Sequence, residues 1–182
     1  MGPTALGTRK RRHIVLTGAM GVGKSTVGRL LADELGLAFL DSDEYLEATY
    51  EESAVEITAR DGVAGLHEIE LDVFLRMCES PEPAVLAPAA SVIDHEPGRR
   101  ALEDNFTVWL TAPRGVLARR QDQGAHRRKV SAKERDALHA SRSPLLREVS
   151  SITLDTGASS PVETVETLIA LLPGSLLSIA SD

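Results

Sequence analysis

Gly18-Ala19-Met20-Gly21-Val22-Gly23-Lys24-Ser25 is the stretch that decides this chain. It has the form G-x-x-x-x-G-K-[ST], a phosphate-binding P-loop. The glycines let the backbone curl tightly, so that amide N–H groups converge on a phosphate. The helix that follows directs its positive end at the same phosphate. In such a loop Lys24 reaches the β and γ phosphates, and the Ser25 hydroxyl is a hard oxygen ligand suited to Mg²⁺. A chance match in a chain of this length is on the order of one in a hundred. The flanking context agrees. His13–Thr17 reads as a short buried strand, and Lys24–Leu35 has apolar Val27, Leu30, Leu31 and Leu35 at helical spacing, with Gly36 to end it.

Outward from the loop, apolar runs alternate with helical patterns. Leu37–Leu40 reads as a second strand, Ala84–Ala87 as a third, Phe106–Leu110 as a fourth and Ser151–Leu154 as a fifth. Two or three helices are expected to fill 42–79, with others at about 113–121, 132–148 and 162–172. This alternation predicts an α/β fold, a parallel sheet covered by helices on both faces, with ligands at the carboxyl ends of the strands. The expected organisation is one domain over 13–173, flanked by loose segments at 1–12 and 174–182.

Composition narrows the function classes. The chain has 182 residues, 42% of them apolar but only 3% aromatic, so its core is aliphatic. A net charge of −7 argues against a general nucleic-acid binder, which needs a basic face. The cluster Arg9-Lys10-Arg11-Arg12 reads as a solvated tail before the first strand. Ile14-Val15-Leu16 is far shorter than a signal-peptide core of roughly 7–15 residues, and no run reaches the roughly 18–20 apolar residues of a membrane helix. A single cysteine, Cys78, fits a reducing cytoplasm. The expected partner is a small-molecule acceptor, with no nucleic acid and no membrane, and the expected state is a monomer.

The second strand ends in Asp41-Ser42-Asp43. If that strand neighbours the first, Asp41 falls close enough to the phosphates to hold the Mg²⁺ shell. Asp43 is then placed to accept the proton of an attacking hydroxyl, or to orient it. The competing reading is an N-cap, with Ser42 or Asp43 opening the next helix. The upstream P-loop favours function for both carboxylates.

These residues resemble the shikimate kinase family, a branch of the small P-loop kinases. The resemblance covers roughly 13–172. It rests on the loop and its continuation Thr26-Val27-Gly28, on Phe39-Leu40-Asp41-Ser42-Asp43, on Ala59-Arg60-Asp61-Gly62 and on Glu68-Ile69-Glu70. It continues through Trp109-Leu110, Arg119-Arg120, Ser141-Arg142-Ser143-Pro144-Leu145 and Leu154-Asp155-Thr156. It implies a five-stranded parallel sheet in a three-layer fold, ATP and Mg²⁺ as cofactors, a lid near 121–131, and a role in aromatic amino acid biosynthesis.

By the same resemblance, Gly21, Val22, Gly23, Lys24, Ser25 and Thr26 hold the nucleotide, and Ser25 and Asp41 the metal. Arg120 matches the arginine that packs on adenine, and Thr156–Pro161 the loop that rims it. Asp43 matches the residue that holds the acceptor hydroxyl, and Arg127 the lid arginine that stabilises the transferring phosphoryl group. From the residues alone, Arg127-Arg128-Lys129 reads equally well as a solvated basic run. Arg142 matches an arginine that binds the acceptor carboxylate; its alternative is a surface ion pair. Glu70 is also retained.

The departures fall on the acceptor side. His67 stands where the family has an arginine that clamps the shikimate carboxylate, and histidine has no such fork. Ala89-Ala90-Ser91, after Pro88, stands where the family has three glycines whose backbone touches the substrate ring. Side chains there fill space or restrict backbone angles that glycine allows. Arg127-Arg128-Lys129-Val130 replaces the usual lid sequence, and the segment from the lid to the next helix is about four residues shorter. His67 is either a replacement ligand or a half-exposed helix residue. The expected activity is transfer of the γ-phosphoryl group of ATP to an alcohol of a small molecule, shikimate by resemblance. The alternatives are a cyclitol or sugar acid as acceptor, or a catalytically silent ATP-binding regulatory protein.

Overall fold

The computed structural model describes residues 13–122 and 131–177. At its centre is β1, Ile14–Thr17, four consecutive buried residues with no apolar–polar alternation, as expected of a strand covered on both faces. It is followed by α1 (Lys24–Leu35), β2 (Ala38–Asp41), α2 (Ser42–Tyr50), α3 (Ala54–Cys78) and β3 (Ala84–Ala87). Then come a 3-10 turn at Val92–Asp94, α4 (Glu96–Asp104), β4 (Phe106–Thr111) and α5 (Arg114–Asp122). The chain closes with α6 (Ala132–Val149), β5 (Ile152–Asp155), α7 (Pro161–Leu171) and α8 (Gly174–Leu177).

The five strands lie in the order β2-β3-β1-β4-β5, and every pairing is parallel. Alternate residues of β1 serve opposite layers. Ile14 and Leu16 join Val27, Leu31 and Leu35 of α1, Val165 and Leu168 of α7, and Leu176 of α8. Val15 joins Val73, Phe74 and Met77 of α3, Leu102 of α4, and Leu146 and Val149 of α6. Each fully buried aliphatic side chain contributes about 1.5–3 kcal/mol relative to exposure. The three-layer fold inferred from the sequence is the one observed. No helix among the described residues is long and apolar enough to cross a membrane.

Several boundaries differ for local reasons. β2 begins at Ala38 rather than Leu37, because the Leu37 amide donates to the Ala32 carbonyl at 2.9 Å and closes α1 behind the left-handed Gly36. The stretch 42–79 holds two helices, the second bent at Gly62, whose φ of 75° and ψ of 178° interrupt its helical backbone. The cap of α2 is neither Ser42 nor Asp43. It is Asp41, which accepts the Asp43 amide.

Helix α4 was not foreseen. Its segment Glu-Pro-Gly-Arg-Arg reads as a polar turn, yet Pro97 suits a first helical turn, Leu102 is buried, and Gly98 lies so close to the Val92 carbonyl that a Cβ would sit 2.1 Å from it. Gly174–Leu177, assigned to the loose C-terminal segment, forms the short α8 because Leu176 packs into the core.

Candidate active site

The P-loop connects the carboxyl end of β1 to α1. Gly18, Gly21 and Gly23 have φ of 141°, 79° and 105°, all in the region that side chains avoid. Gly18 is the most restricted: a Cβ there would lie 2.4 Å from the Leu110 carbonyl oxygen. Val22 is buried in the core and anchors the loop from below. Lys24 crosses the loop, its Nζ donating to the Gly18 carbonyl at 3.1 Å. Thr26 is exposed at the start of α1.

The helix ends differ in a telling way. Helices α3, α6 and α7 each open with a serine cap, Ser53, Ser131 or Ser160, and carry a glutamate in the first turn. Helix α1 opens on Gly23 with no side-chain cap and no acid in its first turn. Its first amide donors and its positive end are therefore left to an anion. This cradle fits a nucleotide's phosphates.

Ser25 Oγ donates to Asp41 Oδ2 at 2.6 Å. The reasoning that β1 and β2 would have to be neighbours does not hold, since β3 lies between them. Asp41 meets Ser25 because α1 packs across β1, β3 and β2 and brings its first turn over the end of β2. Asp41 is 7% exposed, and its Oδ1 also accepts the Asp43 amide at 3.0 Å. One carboxylate thus starts α2 and faces the loop hydroxyl, so the cap and metal readings are not alternatives. A hydroxyl and a carboxylate side by side form a hard-oxygen donor pair of the kind that suits Mg²⁺, which binds few protein ligands and keeps phosphate and water oxygens.

At the far end of the loop Arg120 makes a bridge. Its Nη1 donates to the Val22 carbonyl at 3.3 Å, and its Nη2 to the Thr156 carbonyl at 3.1 Å. Thr156 is buried, and its hydroxyl lies 3.1 Å from both the Val22 and Thr111 carbonyls. Arg120 and the loop after β5 therefore meet the P-loop directly.

The other wall comes from dispersed side chains. Asp43 stands exposed in the first turn of α2. Glu70 on α3 is held above the ordinary carboxylate range by burial; Ser91 counters by hydrogen bonding, Asp43 adds to the rise, and Arg142 and Lys24 oppose it. Asp43, Lys24 and Arg142 are thus all electrically coupled to one carboxyl group. The Ser91 hydroxyl donates to Glu70 Oε2. Ser91 has φ −76° and ψ −21°, and neither Ala89 nor Ala90 has a positive φ, so this turn does not need glycine backbone. His67 lies half-buried one turn before Glu70.

Arg142 grips Asp94. Its Nε lies 3.0 and 3.1 Å from the two carboxylate oxygens, and its Nη2 lies 2.5 Å from Oδ2. Arg142, Ala90 and Gly18 line one cleft of about 170 Å³. Asp94 carries no motif signal, and sequence reasoning passed over it. Only its position just after the third strand pointed to the site. Arg127 and most of the expected lid at 121–131 lie outside the described residues.

The model of the shikimate kinase family matches residues 20–173. A shikimate kinase of Psychrobacter cryohalolentis is 31% identical over 173 residues, covering 93% of each chain. One of Ruegeria pomeroyi is 35% identical over 166 residues, 88% of this chain and 85% of its own. Among solved structures, the shikimate kinase from Acinetobacter baumannii in complex with shikimate superposes with a TM-score of 0.83 at 29% identity, covering 90% of this chain and 93% of that one. A gluconokinase from Sinorhizobium meliloti, at 21% identity and a TM-score of 0.59, shares the fold. A phosphate cradle, a hydroxyl–carboxylate pair beside it and this breadth of similarity agree: the chain belongs to the shikimate kinase family, small-molecule kinases that use ATP with Mg²⁺.

Proposed function

We propose that this protein transfers the γ-phosphoryl group of ATP to an alcohol on a small hydroxylated ring of the shikimate type. The observation that carries this reading is the Ser25–Asp41 contact at 2.6 Å beside the uncapped start of α1, with Lys24 at the Gly18 carbonyl.

In this reading the loop amides of Gly21–Ser25 and the Lys24 ammonium hold the β and γ phosphates. Ser25 and Asp41 would hold Mg²⁺, which neutralises phosphate charge when bound. Thr26 completes the nucleotide contacts, and Arg120 closes the adenine end. Asp43 accepts a hydrogen bond from the acceptor hydroxyl and takes its proton as the oxygen attacks phosphorus. The bond from phosphorus to the bridging oxygen of ADP breaks as the new one forms. Lys24, with Arg127 from the lid, stabilises the charge that develops. Glu70, His67 and Arg142 face the acceptor's remaining groups.

Shikimate is the first acceptor to test, because the relatives carry that name. A cyclitol or sugar acid is the second reading, favoured by His67 and by Ala89-Ala90-Ser91. An ADP-release assay with purified protein over a panel of such acceptors decides between them. Turnover abolished by Asp43→Asn, with ATP binding kept, supports the reading. No turnover of any acceptor, with ATP still bound, would leave a nucleotide-binding protein without transferase activity.

A further inference from the structure

The structure assigns Asp94 as a specificity-determining residue that neutralises Arg142, so that the acceptor presents a hydrogen-bond donor, a hydroxyl or an ammonium group, where a carboxylic acid substrate would present its carboxylate. This inference rests on the kinase reading above and narrows its acceptor.

The first observation is geometric. The Nε and Nη2 edge of Arg142, the side that matches a carboxylate with two parallel donors, is already taken by Asp94. The pair is well formed and sheltered, with 13% of the Arg142 side chain and 35% of the Asp94 side chain exposed. An acceptor carboxylate would have to break this pair or join it as a second anion on one cation.

The second observation is the charge around it. Asp43 and Glu70 are the nearby acids, and both act in the same neighbourhood as Arg142. With Asp94 added, the wall holds three carboxyl groups, and its guanidinium is committed to one of them. The Ser91 hydroxyl is committed too, donating to Glu70. Lys24 turns toward the loop, at the Gly18 carbonyl. Arg142 and Ser91 thus serve the protein's own carboxylates, and Arg114, which lines the same cleft, is paired with Asp136; beside Glu70 and Asp94, what the wall offers a ligand is mainly oxygen lone pairs. A ligand carboxylate placed there meets like charge, which disfavours binding, whereas a hydroxyl or ammonium group meets its complement.

The test uses three probes on one ring: shikimate, and its analogues with the carboxylate replaced by hydroxymethyl or by aminomethyl. The full-length protein is assayed for ADP release, and for binding in the presence of a non-hydrolysable ATP analogue. We expect wild-type kcat/KM to favour at least one donor analogue over shikimate by about tenfold or more. The aminomethyl arm reads charge, and the hydroxymethyl arm hydrogen bonding alone. Asp94→Asn and Asp94→Ala release Arg142, and both are expected to raise shikimate turnover and shrink that preference.

A wild-type preference for shikimate overturns the inference while the kinase reading stands. So does a preference that neither folded variant alters. Binding that favours a donor analogue with no transfer to any probe supports the inference and overturns the kinase reading. Absence of binding by all three probes overturns the inference, and the wider acceptor panel then decides the kinase reading.

Discussion

The two halves of the site are built in opposite ways. The nucleotide half is one continuous stretch, Gly18–Ser25, in which backbone does most of the work, with left-handed glycines, an uncapped helix start and amides left for phosphate. The proposed acceptor half draws on α2, α3, the turn after β3 and α6, and its Ser91–Glu70 and Arg142–Asp94 contacts are between side chains. Backbone chemistry tolerates almost any neighbour but few substitutions of its own. Side-chain chemistry is the reverse, and a single exchange such as the acid at Asp94 can change what the wall recognises while the fold stays intact.

The largest effect is expected where the halves meet. Asp43→Asn keeps the shape of α2 and removes the carboxylate proposed to accept the proton. We expect kcat to fall by about 10²–10⁴-fold, with affinity for an ATP analogue unchanged, as read by ADP release and calorimetry. A loss confined to nucleotide affinity would put Asp43 in the wrong half.

Gly18→Ala tests the backbone half. The added Cβ would meet the Leu110 carbonyl at 2.4 Å, at a φ of 141°. A destabilisation of about 1–3 kcal/mol is expected, together with weakened nucleotide binding, measured by denaturant melts and titration with an ATP analogue. Equivalent changes on the other wall, such as Ser91→Gly, should leave nucleotide binding untouched.

Glu70→Gln gives a smaller effect that depends on pH. Burial holds the Glu70 carboxyl above its unfolded value, so its favourable contribution is present below the ordinary carboxylate range and is lost as pH rises through the raised value. Thermal melts from roughly pH 4 upward should show the wild type losing ground to Glu70→Gln as pH climbs. A gap that is constant across that range would mean that Glu70 is not buried against its charge.

The smallest effect concerns Glu51, the left-handed cap of α2 with φ 55° and the one described non-glycine residue with a positive φ. Glu51→Gly relieves that strain but loosens the unfolded chain. A net stabilisation of about 0.5 kcal/mol is expected from the two opposing terms, visible as a small rise in Tm. A change of backbone freedom at Glu51 is thus expected to be mild, where an added Cβ at Gly18 is not.

What the sequence could convey follows the same division. The P-loop, β1 and α1 were legible because their determinants are adjacent residues. Asp41 and Asp43 were legible as a pair, but the reason offered for Asp41, adjacent strands, was wrong; the packing of α1 over β3 brings it to Ser25. Helix α4 is hard to see because its segment is strongly polar and short, although its few apolar residues do gather on one face. The Ser91–Glu70 and Arg142–Asp94 contacts join residues 21 and 48 positions apart, and nothing local in either segment names its partner. Arg142 was foreseen as a ligand for an acceptor anion or as a surface ion pair. It forms an ion pair with Asp94 of the turn after β3, as the second reading has it, but a sheltered one, with 13% of the Arg142 side chain exposed.

The strand order also governs when the loop can work. Ile14 is flanked by Val85 on one side and Phe106 on the other, both encoded far downstream. A growing chain on the ribosome therefore makes the phosphate loop early and must hold it without either flanking strand until β3 and β4 emerge. Closing those long connections is entropically slow. The phosphate loop is thus encoded early and completed late, only after β3 and β4 have taken their places beside β1.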